Sequence, residues 1–161
     1  MDGKVVVVTG ALGALGKVVA SVAQARGARV AGVDHAHAQT PATPTRIELG
    51  GVDLSDAAQA KQAIDAAASH FGRLDALINI AGGFAFETVA EGEDKTWQRM
   101  YALNVTTALN ASRAALPHLA SSGTFVGGER IATSAVLISA RSNVSLSSSV
   151  TKLVWLFELS R

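Results

Sequence analysis

The chain of 161 residues has no cysteine, which excludes a disulfide framework and any thiolate chemistry. Its four histidines, His35, His37, His70 and His118, lack metal-ligand spacing with carboxylates, so no metal site is expected. Long hydrophobic runs are missing as well. The N-terminal "MDGKVVVVTG" sets an acid and a lysine before only four valines, too short and wrongly flanked for a signal peptide or a membrane span. A cytoplasmic location is the default expectation. No charge of one sign dominates, because 14 basic and 13 acidic residues nearly cancel and no run of like charge stands out. Nothing therefore favours nucleic acid or an anionic membrane as partner, and small ligands or other proteins remain. Prolines number three. Pro41 and Pro44 mark "HAHAQTPATPT" as a loop, with His35 and His37 exposed at its start, and Pro117 is expected to end or bend a helix.

What the chain does contain is 48% hydrophobic residues, enough for one domain with a real core. Short β-branched runs alternate with alanine-rich segments of helical period, which predicts an α/β fold. Strands are expected at Lys4–Val8, Arg29–Asp34, Arg46–Leu49 and Ala76–Ile80, and helices at about Ala14–Arg26, Asp56–Phe71 and Asp94–Leu119. The strands are nearly continuous in apolar residues, as sheets covered on both faces require.

The chemistry begins at "VVVVTGALGALGK", where a strand runs into Gly10, Gly13 and Gly16 and then directly into a helix. Glycine lets the backbone turn tightly and approach an anion without a side chain, while the free N–H groups and dipole of the helix point at the charge. Such a turn suits a pyrophosphate. Asp34 lies 18 residues past Gly16 at the end of the second strand, where a carboxylate can accept from ribose hydroxyls and repel a 2′-phosphate. NAD is therefore expected over NADP, with Lys17, His35 and His37 working weakly the other way. Asp34 as a solvated strand-end carboxylate stays open as the alternative.

In their order, "TGALGALG", "VDLSD", "RLDALINIAGG" and "MYALNVTTAL" make roughly residues 3 to 120 resemble the short-chain dehydrogenase/reductase family. Thr9, Gly10 and Gly16 match its glycine-rich turn. The middle glycine stands at Gly13, Ala14 occupies the more usual site, and Leu15 takes the apolar place before Gly16. Asp53 and Leu54 match the pair that meets the adenine ring. Asn79, Ala81 and Gly82 match the element after the fourth strand, with Ile80 in place of its second asparagine. Asn104 matches the asparagine that holds a water in the proton-relay path, and a plain helix-surface amide remains its other reading. The resemblance implies a Rossmann-like doubly wound parallel sheet with helices on both faces. It also implies hydride transfer between a nicotinamide and a small alcohol or carbonyl substrate; a homo-oligomer is expected separately, because a sheet short of its last strands would expose an edge.

The family's chemistry needs three more groups: a tyrosine that moves the substrate proton, a lysine four residues later, and a serine on the fifth strand. The lysine lowers the phenol pKa from the same helix face. The only tyrosine here, Tyr101, lies 51 residues before Lys152, and no Tyr-x-x-x-Lys exists. In "SSVTK", Thr151 and Lys152 resemble the end of the motif and Ser148 stands in the tyrosine's place. Upstream, "ERIATSAVLIS" resembles the fifth strand, where Ser134 fits the family spacing better than Ser139. A serine hydroxyl is a far weaker acid than a phenol of reference pKa ~10, so catalysis is expected to be impaired. Lys152 reads equally as a solvated helix lysine.

Composition breaks near the same place: residues 1 to 120 hold 27 alanines and 4 serines, residues 121 to 161 hold 3 and 10. The expectation is one NAD(P)-binding domain over 1–161, family-like over 1–120, with an atypical tail over 121–161 and the C-terminal strands missing. An altered reading frame, an alternative exon or an engineered replacement after about Ser122 would account for the break. Three readings follow: an impaired oxidoreductase, a dinucleotide-binding module without turnover, and a truncated product with no function of its own.

Overall fold

Four valines and a threonine open the sheet. In the computed structural model, which describes residues 1–37, 40–88, 90–119 and 136–138, strand β1 (Val5–Thr9) is buried along its whole length. It is flanked by β2 (Arg29–Val33) and β4 (Ala76–Asn79); β3 (Arg46–Leu49) pairs with β2 and β5 (Val136–Ile138) with β4, giving the order β3-β2-β1-β4-β5. β1 to β4 run parallel, with Val7 opposite both Ala31 and Leu77. β5 is antiparallel to β4, setting Asn79 opposite Val136 and Leu77 opposite Ile138. This departs from an all-parallel sheet. An edge strand completes its ladder on one side only, so either direction satisfies it, and mixed edges are common on otherwise parallel sheets.

Side-chain alternation along β1 divides the core into two layers. Val6 and Val8 pack with Ala20 and Ala23 of α1 (Ala14–Ala25) on one face. Val5 and Val7 pack with α2 (Ala57–Phe71) and α4 (Thr107–Ala115) on the other. Helices thus cover both faces. Eleven of the 23 buried hydrophobic residues among those described are alanine, so the helices seat close to the strands.

The long third helix expected over Asp94–Leu119 is built in pieces: α3 (Asp94–Tyr101), a π turn (Ala102–Thr106), α4, and a 3₁₀ turn (Leu116–His118) that contains Pro117. In the wide turn the Thr107 N–H reaches back to Ala102 O. Leu103 O, which that N–H would meet in an α-helix, instead accepts from the Thr107 hydroxyl at 2.7 Å. Elsewhere ends shift by a residue: Asp56 lies outside α2 as its N-cap, accepting from Ala58 N at 2.7 Å.

Candidate functional site

Strands β1, β2 and β4 all end at one rim, and a cleft of about 570 Å³ opens there. It lies at the end of β1, where the order reverses: β2 and β3 are laid down on one side of β1 and β4 on the other, the switch point at which open α/β sheets hold ligands.

The first wall is the glycine turn. Gly10 has φ +66, and a Cβ there would lie 2.8 Å from Ala81 N. A Cβ on Gly16 would lie 1.9 Å from Gly10 O, so α1 can begin this close to β1 only without a side chain at 16. Gly13 caps α1 without a side chain, and the first turn of the helix carries no acidic residue to occupy its N–H groups. Gly10, Gly13, Leu15 and Gly16 all line the cleft.

The second wall holds two carboxylates. Asp34 follows β2 directly; its Oδ2 accepts from Leu12 N at 2.8 Å and its Oδ1 from Ala36 N at 2.9 Å. The aspartate therefore fixes the glycine turn as well as facing the cleft. Asp53 precedes α2, and Leu54 beside it is buried. The Ser55 hydroxyl, 2.7 Å from Asp53 Oδ1, and the Ser55 N–H, at 2.8 Å, hold the Asp53 carboxyl below the usual carboxylate range; slight burial opposes this and His35 adds a smaller attraction. Lys and Arg are absent from the described residues lining the cleft.

The third wall, Ile80 to Gly82, is fastened by one hydroxyl. Thr9 Oγ1 accepts from Ile80 N at 3.0 Å and Ala81 N at 3.1 Å and donates to Asn79 Oδ1 at 3.4 Å. Thr9 and Asn79 are buried beneath the cleft rather than lining it, and Asn79 also donates to Ser112 Oγ at 3.2 Å. They position the wall. The Asn104 side chain, in the π turn, bonds at both ends: Nδ2 donates to Gly83 O and Met100 O, both at 2.9 Å, and Oδ1 accepts from Gly83 N at 3.2 Å. It ties the helix to the chain leaving the third wall. Ser134, Ser148 and Lys152, with Ser139 and Thr151, lie outside the described residues.

The cleft also takes in Leu12, Ala14, His35, Ala36, Val52, Ile80, Leu103 and Thr107. Leu12 had no signal in the sequence, since it contributes a backbone N–H. Thr107 had one: it lies three residues past Asn104, on the same helical face.

A family model described as short chain dehydrogenase matches residues 4–142, a span that takes in all three walls. The chain belongs to the short-chain dehydrogenase family. An uncharacterized oxidoreductase of Methylorubrum extorquens is 31% identical over 145 residues, covering 85% of this chain and 58% of that protein. A D-threitol dehydrogenase of Mycolicibacterium smegmatis is 36% identical over 115 residues, covering 66% of this chain and 44% of its own length. Among solved structures, a short-chain dehydrogenase/reductase from Serratia marcescens superposes with a TM-score of 0.69 at 35% identity, covering 76% of this chain and 56% of that one. This short-chain dehydrogenase chain thus spans about half the length of the curated relatives it matches. The fold is that of the family's Rossmann domain, and no described helix is long and apolar enough to cross a membrane.

Proposed function

We propose that this chain is a single dinucleotide-binding domain that prefers NAD to NADP, and that it is an impaired oxidoreductase acting on a small alcohol or carbonyl compound. The observation that carries the reading is the cleft wall itself: a glycine cradle that a Cβ would fill, facing Asp34 and Asp53 with no lysine or arginine among the described residues that line it. The free N–H groups at the start of α1 suit the pyrophosphate, Asp34 the adenosine ribose, and Asp53 and Leu54 the adenine. Bound there, a nicotinamide dinucleotide supplies or accepts the hydride. The chain's own part is to orient it: Thr9 and Asn79 fix the wall from Ile80 to Gly82, and Asn104 fixes the chain beyond it. Ser134, Ser148 and Lys152 are the residues assigned to substrate and proton. Without a phenol at 148, proton transfer is the weak step.

Calorimetric titration with NADH and NADPH tests the cofactor half. Tighter NADH binding is expected; equal affinity would defeat the role of Asp34, and no heat with either in a folded sample would defeat the cleft. Asp34→Ala should weaken NADH more than NADPH, because it removes an acceptor together with a repulsion. The second reading, a dinucleotide-binding module without turnover, is favoured by the lack of any Tyr-x-x-x-Lys. NADH binding with no detectable hydride transfer to any carbonyl compound would select it.

A further inference from the structure

A second groove, of about 540 Å³, runs between α2 and α4 and shares no lining residue with the cleft. Its α2 wall is Lys61, Asp65 and Ser69, whose spacing of four residues sets them on one helix face. Opposite stand Asn110 and Arg113 of α4 and His118 of the 3₁₀ turn. Two tethers hold the walls in register. At one end Asn110 Nδ2 donates to Leu54 O at 3.1 Å and to Ser55 O at 3.0 Å, and at the other His118 Nε2 lies 2.6 Å from Asp65 Oδ1. Lys61 on α2 and Arg113 on α4 fall between the tethers, in the middle of the groove.

The charges along these walls do not balance. Asp65, the one carboxylate among the described lining residues, is shared by Lys61 Nζ at 2.5 Å and by His118. The Lys61 ammonium, and after it His118, hold the Asp65 carboxyl below the usual carboxylate range. Arg113 is left over. No hydrogen bond or ion pair engages its guanidinium, or the Ser69 hydroxyl, among the described residues. A guanidinium is always charged, and its planar fork of N–H donors matches the paired oxygens of a carboxylate or phosphate.

We propose that this groove is a second ligand site, separate from the dinucleotide cleft, which binds a small organic oxyanion, a carboxylate or a phosphate ester, on Arg113 and Lys61. Arg113 offers its fork, and Lys61 turns its ammonium from Asp65 to share the anion. The cost is small, because an exposed pair four residues apart on a helix is weak and Asp65 keeps His118. Ser69, one turn beyond Asp65, adds a hydroxyl donor. Ala57, Ala114 and Pro117 supply short apolar side chains against which the carbon body of the ligand can lie. A cationic ligand would meet the opposite arrangement: two permanent positive charges and a carboxylate that already has its partners.

The test follows the amide shifts of the isotope-labelled full chain during titration with glutarate and, separately, with inorganic phosphate. Either probe should move the amides of Ser69 and Arg113, whatever happens at Gly13 and Gly16 in the cleft. Arg113→Gln should weaken this response about five-fold, and added salt should weaken it in the parent chain. Asp65→Asn should tighten it, since a repulsion is removed and Lys61 is released; a merely structural ion pair predicts no such gain. Arg113 is exposed, so its replacement should leave the fold intact. No movement at Ser69 and Arg113 with either probe would overturn the inference, as would Arg113→Gln binding like the parent or Asp65→Asn binding more weakly. A response to one probe alone supports the site and names the class of oxyanion.

Discussion

At the scale of single residues, the cleft depends on atoms that are not there. Gly16→Ala would force a methyl group into Gly10 O, and no rotamer can relieve a backbone clash of this kind. The variant should lose NADH binding in calorimetry and melt at a lower temperature, by the equivalent of about 1–3 kcal/mol or more. Thr9→Val makes the converse test. It keeps the shape but leaves the partly buried Ile80 N and Ala81 N without their acceptor, and a loss of about 1–3 kcal/mol in all should appear as a lower urea midpoint. The glycines were legible in the sequence because a missing side chain leaves a spacing pattern. Thr9 and Asn79 were legible as positions through the family resemblance and Asp34 through its spacing from the glycine turn, but not in what they hold. Which N–H meets the Asp34 carboxylate depends on where Leu12 comes to rest, and every residue type but proline offers that N–H equally.

At the scale of elements, a buried carboxylate joins the starts of two strands. Asp75, just before β4, accepts from Val5 N at 2.9 Å and pairs with Arg73 at 2.5 Å and Lys4 at 3.2 Å. Burial works to raise its pKa, but these three partners together outweigh it and hold the carboxyl below its ordinary value. A group depressed in the folded state stabilises fully above its unfolded pKa of about 3.9 and loses that contribution as pH falls through the folded value. Asp75→Asn should therefore cost stability at neutral pH, and its urea midpoint should approach that of the parent chain only in strong acid. The strands themselves were legible to within a residue, since sheets buried on both faces need unbroken apolar runs. The π turn was not: "MYALNVTTAL" has an ordinary helical period, and the widening depends on the Thr107 hydroxyl replacing its own N–H at Leu103 O. The direction of β5 was equally invisible, because three apolar residues at an edge carry no polarity signal.

For the molecule as a whole, four of the five aromatic residues in the described segments stand exposed: Phe84, Phe86, Trp97 and Tyr101. Exposed apolar surface of this kind predicts self-association, and sedimentation velocity should show a species heavier than 16.5 kDa. Turnover of carbonyl substrates should be ~10²–10⁴-fold slower than in a relative with an intact tyrosine, measured as NADH oxidation. An ordinary rate of ~10 s⁻¹ that vanishes in Ser148→Ala would instead make that serine a competent acid. The alanine-lined core bears on how the chain responds to temperature. Heat capacity of unfolding scales with the apolar area that unfolding exposes, and an alanine hides far less of it than a leucine or phenylalanine in the same position. With alanine at nearly half of the described core positions, the increment in calorimetry should fall at or below the low end of ~12–15 cal/mol/K per residue. The stability curve is then a shallow dome: cooling weakens such a fold little, and on warming its small margin drains away gradually.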